Sequence, residues 1–144
     1  QVKSLADQGL PIYAECGGLM YLGEKLILDN GTFEMTGVLP IVFGFAKRPQ
    51  GHGYTIIQVE RDTPYFKAGT LIKGHEFHYS TVESWSGEDQ NMAFAMSRGS
   101  GIVSGRDGLC RNNVLATYTH IHALGTPQWA PALVAQARLF KSPS

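Results

Sequence analysis

An α/β layered fold is the class this sequence predicts, and three observations predict it. A strand, a sharp glycine turn and a helix follow one another near its start. A strand-to-helix unit stands near its end, and short glycine-punctuated strands lie between. The 144 residues suffice for one ordinary domain with a real core, and 43% hydrophobic against 17% charged residues describe a globular chain. Twelve basic and twelve acidic residues give no net charge, which argues against nucleic-acid binding. No apolar run is long enough to span a bilayer and no signal peptide opens the chain, so a membrane partner is not expected. Two cysteines, Cys16 and Cys110, are too few for a disulfide scaffold and suit a reducing cytoplasm.

The chain opens inside a helix-like stretch, residues 1–8, and Gly9 with Pro11 supplies a stop signal. This abrupt start without methionine implies a fragment truncated at the N-terminus of a longer polypeptide. Residues 11–15 have strand character and run directly into Cys16-Gly17-Gly18, after which Leu19, Met20, Leu22 and Leu26 recur at helical spacing. Strands are expected over 33–39, 53–60, 70–73, 76–82 and 93–96, with loops over 47–52 and 84–91. Residues 113–119 alternate as a strand and deliver His120. Thr126-Pro127 then reads as a helix start, with Trp129, Ala130, Leu133, Val134, Ala137 and Phe140 on one face.

Cys16 is the leading chemical candidate. A thiol on a tight strand-to-helix turn stands at the carboxyl edge of a sheet, and a helix N-terminus behind it favours the thiolate. Gly17 and Gly18 let the backbone turn sharply, and the Gly17 N–H can donate to an oxyanion. The plain alternative is a buried cysteine acting as a small hydrophobe, the reading that fits Cys110 in Gly108-Leu-Cys-Arg-Asn. A nucleophilic thiol needs a base. Among five histidines, His120 follows a strand and so lies at a sheet edge, where doubly wound folds assemble their sites. His75 and His78 would point to opposite faces of a strand, and His120 with His122 lacks a third ligand, so no metal site is expected.

Three blocks of sequence carry a family resemblance. Gly9-Leu-Pro-Ile-Tyr-Ala-Glu-Cys-Gly-Gly-Leu-Met-Tyr-Leu22 resembles the nucleophile segment of the cobyrinic acid a,c-diamide synthases. Gly74-His-Glu-Phe-His-Tyr-Ser80 resembles that family's second signature, and Ala116-Thr-Tyr-Thr-His-Ile-His122 the segment with its histidine. The resemblance implies a carboxyl-terminal glutamine amidotransferase domain over residues 1–144, with a class I-like, flavodoxin-related α/β fold. It implies Cys16 as the nucleophile toward glutamine, His120 as its base, Gly17 at the oxyanion, and His75, His78 and Tyr79 on the substrate side. In the family an amino-terminal domain, absent from these residues, uses ATP and magnesium to activate the a- and c-side-chain carboxylates of the corrinoid. No cofactor is expected on the present domain.

Two departures from the pattern matter. Many class I amidotransferases place glutamate two residues after the histidine; that position is His122 here, so a Cys–His dyad is the natural reading. The upstream glycine-rich oxyanion loop and a P-loop lysine motif are also missing. The chain alone is therefore expected to fold, to turn over little and to expose surface that invites self-association. An amidase domain for another tetrapyrrole of the sirohydrochlorin or sirohaem type, and a non-catalytic macrocycle- or partner-binding domain, are the rival readings.

Overall fold

A computed structural model of the chain describes residues 1–141; the last three residues of the expected 1–144 domain lie outside the described residues. The order of elements is α1 (Val2–Asp7), β1 (Ile12–Glu15), α2 (Gly17–Leu22), β2 (Lys25–Leu28), β3 (Gly31–Glu34), β4 (Ile41–Phe45) and β5 (Gly51–Val59). It continues with β6 (Leu71–His78), β7 (Ser80–Trp85), a 3-10 turn at Asp89–Asn91, β8 (Met92–Arg98), β9 (Arg106–Arg111), β10 (Val114–Thr117) and α3 (Trp129–Lys141). The α/β class holds. Among the described residues, parallel pairing is confined to β1 with β10 and β2 with β4, and the former pair sets Cys16 beside the exit of β10.

Two sheets form. One has the order β1-β10-β9-β8-β5-β6, the other β3-β2-β4-β7. The first curls until its last strand meets the chain just beyond its second: His75 on β6 and His120, three residues past β10, exchange backbone hydrogen bonds of 3.1 and 2.7 Å. The second sheet begins where β6 ends, because the chain turns at Tyr79 and continues as β7. The expected strand over 76–82 is thus two strands in two sheets.

All four residues of β10 are buried, since packed layers cover both of its faces. Val114 and Ala116 join Leu19, Leu22, Ile41 and Phe43 on one side. Leu115 joins Ile57, Val59, Phe66 and Phe94 on the other, where Trp129 and Leu133 of α3 also pack. The outer half of the expected α3 face remains uncovered among the described residues: Val134 is 50% and Phe140 38% exposed. This helix also starts at Trp129, and Thr126 caps nothing with its hydroxyl, being buried without a hydrogen-bond partner.

Other expectations shift for local reasons. Helix α2 ends at Leu22 because the chain becomes extended at Gly23, where a Cβ would sit 2.8 Å from the Ile41 carbonyl oxygen. Leu26 therefore lies on β2, which pairs with β3 in a hairpin that replaces the expected strand over 33–39. Strands β4 and β9 carry no clear alternation and escape the sequence pattern, and the ends of β5 and β7 reach into the expected loops.

A buried carboxylate fixes the exit of β10. Asp107 on β9 is fully buried. One oxygen accepts the N–H of Gly108 (2.8 Å) and of Tyr118 (3.0 Å); the other accepts the Thr117 hydroxyl (2.7 Å) and the Thr119 N–H (3.1 Å). Burial pushes its pKa up, while these four donors pull the other way. Asp107→Ala strands the Gly108 and Tyr118 N–H groups and the Thr117 hydroxyl in the core, while the Thr119 N–H keeps the Thr117 hydroxyl oxygen as acceptor, so urea unfolding is expected to show a loss of at least about 3 kcal/mol.

Candidate active site

Parallel pairing places the ends of β1 and β10 side by side. Glu15 is in register with Thr117, and the Cys16 N–H donates to the Thr117 carbonyl at 2.8 Å. The chain then reverses sharply into α2. Cys16 adopts φ 48° and ψ −103°, a left-handed conformation unusual for a residue with a side chain, with a cost of about 1–3 kcal/mol. Such strain is found where a nucleophile must stand clear of its strand. Gly18 allows the following helix to approach β1 closely, since a Cβ there would lie 3.2 Å from that of Ala14.

The thiol is partly exposed, and its S–H reaches the Phe77 carbonyl of β6 at 3.9 Å. Burial pushes the Cys16 pKa up; the Gly17 N–H opposes this, and the nearby Glu15 charge adds to the rise. Burial and Glu15 thus work against the lowering expected from the helix N-terminus, and α2 is short, with six residues. This direction favours the protonated thiol, and a thiol that is to act as a nucleophile then requires a base. Cys110 is buried, with its pKa pushed up to about 11.

His120 is held from two directions. Its backbone bridges to His75, and the two rings stack with centroids 5.0 Å apart and planes at 20°. The approach is close because residue 74 is glycine: a Cβ there would fall 2.3 Å from the His120 carbonyl oxygen. The His120 Nδ1 lies 3.3 Å from a Glu15 carboxylate oxygen. The other Glu15 oxygen accepts the Ile121 N–H (3.1 Å) and the Tyr13 hydroxyl (2.9 Å). Burial, reinforced by Glu15, pushes the Tyr13 phenol above its usual pKa, so it serves as a donor.

Sequence reasoning did not single out Glu15 for this contact. The available signal was the strand pairing, which sets the residue before Cys16 opposite the segment that delivers His120. His122, by contrast, is exposed and accepts the Leu124 N–H through its Nδ1 at 3.3 Å within a turn.

Of the three residues expected on the substrate side, two lie at the surface. His75 is exposed and, with His52, Tyr54 and Phe77, lines a groove of about 510 Å³ on the outer face of β5 and β6. Tyr79 stands at the β6–β7 corner with its ring edge-on to Phe77. His78, the third, is buried instead. It is 6% exposed and stacks on Tyr118 at 3.6 Å, and its Nδ1–H donates to the Ser80 carbonyl. Its other nitrogen faces Glu76 at 3.8 Å. Burial works to raise Glu76, but His78 and the N–H groups of Ser100 and Gly101 outweigh it and hold the carboxyl below its ordinary range. His78 therefore braces the corner from a buried position. Among the described residues no group of three His, Cys, Asp or Glu is placed to hold a metal ion, and no helix is long and apolar enough to cross a membrane.

Because burial and Glu15 both oppose ionisation, alkylation of Cys16 by iodoacetamide in the ligand-free protein is expected to reach its midpoint above that of an ordinary thiol, about pH 8.5. A midpoint near neutrality would show that the helix N-terminus or an imidazole dominates instead.

Comparison of the sequence with known proteins identifies a family. Residues 1–128 match the CobB/CobQ-like glutamine amidotransferase domain. Curated relatives include the cobyrinate a,c-diamide synthase of Magnetococcus marinus, 42% identical over 132 residues that make up 92% of this chain and 28% of that protein. The enzyme of the same name from Methanosphaera stadtmanae is 44% identical over 128 residues, 89% of this chain and 27% of its own. That from Archaeoglobus fulgidus is 39% identical over 137 residues, 95% of this chain and 30% of its own. The chain thus spans under a third of the length of these relatives. With its strained cysteine turn and strand-delivered histidine inside the matched region, the chain belongs to the CobB/CobQ-like glutamine amidotransferase family.

Proposed function

We propose that these residues hydrolyse glutamine and supply the ammonia for ATP-dependent amidation of the a- and c-side-chain carboxylates of a corrinoid in cobalamin biosynthesis. The observation that carries this reading is Cys16, held in a strained left-handed turn at the end of β1, with His120 delivered from its parallel partner β10.

In this reading His120 takes the thiol proton and the sulfur attacks the side-chain amide carbon of glutamine. The Gly17 N–H donates to the oxyanion of the tetrahedral intermediate. As the carbon–nitrogen bond breaks, His120 returns the proton to the departing ammonia, leaving a γ-glutamyl thioester. Water, deprotonated by the same imidazole, cleaves the thioester to glutamate and restores the thiol. On the same reading His75 of β6 and Tyr79 at the corner after it meet the substrate. A resting thiol that favours its protonated form agrees with this scheme, since His120 acts within the step instead of maintaining a standing thiolate.

In this reading ATP and magnesium serve a part of the enzyme beyond these residues, in keeping with relatives of which this chain spans under a third. The acceptor reading rests on the names of the relatives, which specify cobyrinate; they favour it over sirohydrochlorin-type acceptors. The two free cysteines are in keeping with action in the cytoplasm.

In the full-length protein, Cys16→Ser is expected to abolish glutamine hydrolysis while leaving amidation from added ammonia intact; hydrolysis at the wild-type rate would remove Cys16 as nucleophile. His120→Ala is expected to slow hydrolysis by at least the ~100-fold typical of losing a general base. His122→Ala should cost far less, because its ring is engaged in its own turn; equal losses at both positions would refute the assignment of His120.

A further inference from the structure

We propose that Glu15 is the positioning carboxylate of the site: it holds His120 in the tautomer and orientation that let the ring's other nitrogen act as base. The role rests on the glutaminase reading above and replaces the two-residue reading with a Cys16–His120–Glu15 arrangement. Its third member comes from the residue before the nucleophile instead of one that follows the histidine.

The geometry is specific. One Glu15 oxygen faces the His120 Nδ1 at 3.3 Å, and the other is anchored by two donors, the Ile121 N–H and the Tyr13 hydroxyl. A carboxylate can only accept, so Nδ1 must carry the hydrogen and Nε2 keeps its lone pair. The charge beside the ring also stabilises the imidazolium that forms when the thiol proton is taken, which is how an orienting aspartate acts in the serine-protease triad. The same charge raises the thiol pKa. It therefore disfavours a free thiolate and favours the proton on the imidazole, so its benefit appears during reaction.

Glu15 is itself braced. Tyr13 packs edge-on against Tyr65 (centroids 5.6 Å) and Trp129 (5.5 Å), so an aromatic cluster fixes the phenol that fixes the carboxylate. The titratable groups around the pair are His75 from β6, stacked on His120, Tyr13 from β1, and Cys16 itself. Among them Glu15 supplies the carboxylate that reaches the ring.

Glu15→Gln is the discriminating variant. The amide oxygen still accepts from Ile121 and Tyr13, so packing and both anchors survive. The amide nitrogen, however, can only donate, and it forces His120 to accept at Nδ1 and protonate at Nε2. Buried triads lose about 10,000-fold in kcat when their orienting carboxylate becomes an amide. Here the side chains of His120 and Glu15 are 31% and 24% exposed. Water can partly substitute, so a kcat loss of about 10- to 1,000-fold is expected in the full-length protein, with KM for glutamine within about 3-fold. Nitrogen NMR of wild-type protein, at a pH where the ring is neutral, should show His120 protonated at Nδ1; the variant should shift it to Nε2. Wild-type kcat in Glu15→Gln, or an Nε2–H tautomer in the wild type, would overturn the role of Glu15 alone. Failure of a glutamine-analogue diazoketone to label Cys16 in the wild type would overturn the glutaminase reading and this role with it.

Discussion

The Asp107 carboxylate governs where β10 releases the chain. It gathers the N–H groups of Tyr118 and Thr119 and the Thr117 hydroxyl, so the segment leaving β10 has one defined path through the core. That path brings His120 out beside the end of β1, where the parallel register has already placed Cys16. In doubly wound folds the carboxyl ends of adjacent parallel strands form the site by topology alone. Here the parallel pair forms one edge of a largely antiparallel sheet, and the clamp supplies precision that a continuous parallel sheet would distribute over many strands.

A second constraint comes from the curling of that sheet. β6 closes onto the chain past β10 only where a glycine, Gly74, admits the His120 carbonyl. One wall of the site therefore belongs to a strand some 45 residues away from the histidine in sequence, and the Phe77 carbonyl of the same strand meets the thiol. Immediately beyond, His78 and Tyr118 stack, with Ser80 bonded to the Tyr118 hydroxyl, and the two sheets join. The corner thus braces both walls of the site.

Much of this was legible in the amino-acid sequence. The run from Pro11 to Gly18 carries strand, turn and helix signals within a few residues, and α/β class followed from local pattern. Cys16 and His120 were identified because each stands where a strand stops. Features that depend on pairing were hidden. Leu26 sits at helical spacing from Leu19 and Leu22, yet the close approach of β4 ends the helix before reaching it. His78 looks like a site residue in Gly74-His-Glu-Phe-His-Tyr-Ser80, but strand alternation sends it inward while His75 stays outside. Asp107 lies in a glycine-rich stretch with no periodicity, so neither its burial nor its four donors could be foreseen. Glu15 was visible as a residue but not as a neighbour of His120, because that contact exists only once β1 and β10 are in register.

The raised pKa of the Cys16 thiol bears on how the protein survives between turnovers. Peroxide and other cellular oxidants attack thiolates, and low-pKa cysteines are the ones that progress to sulfenic and sulfinic acids. A thiol whose pKa is pushed up by burial and by a neighbouring carboxylate presents less thiolate to that chemistry. The same protection shapes pharmacology. On the glutaminase reading proposed above, electrophiles that depend on intrinsic thiol reactivity are disfavoured relative to ligands that first seat beside the imidazole. Selectivity at such a centre is therefore set by recognition before bond formation.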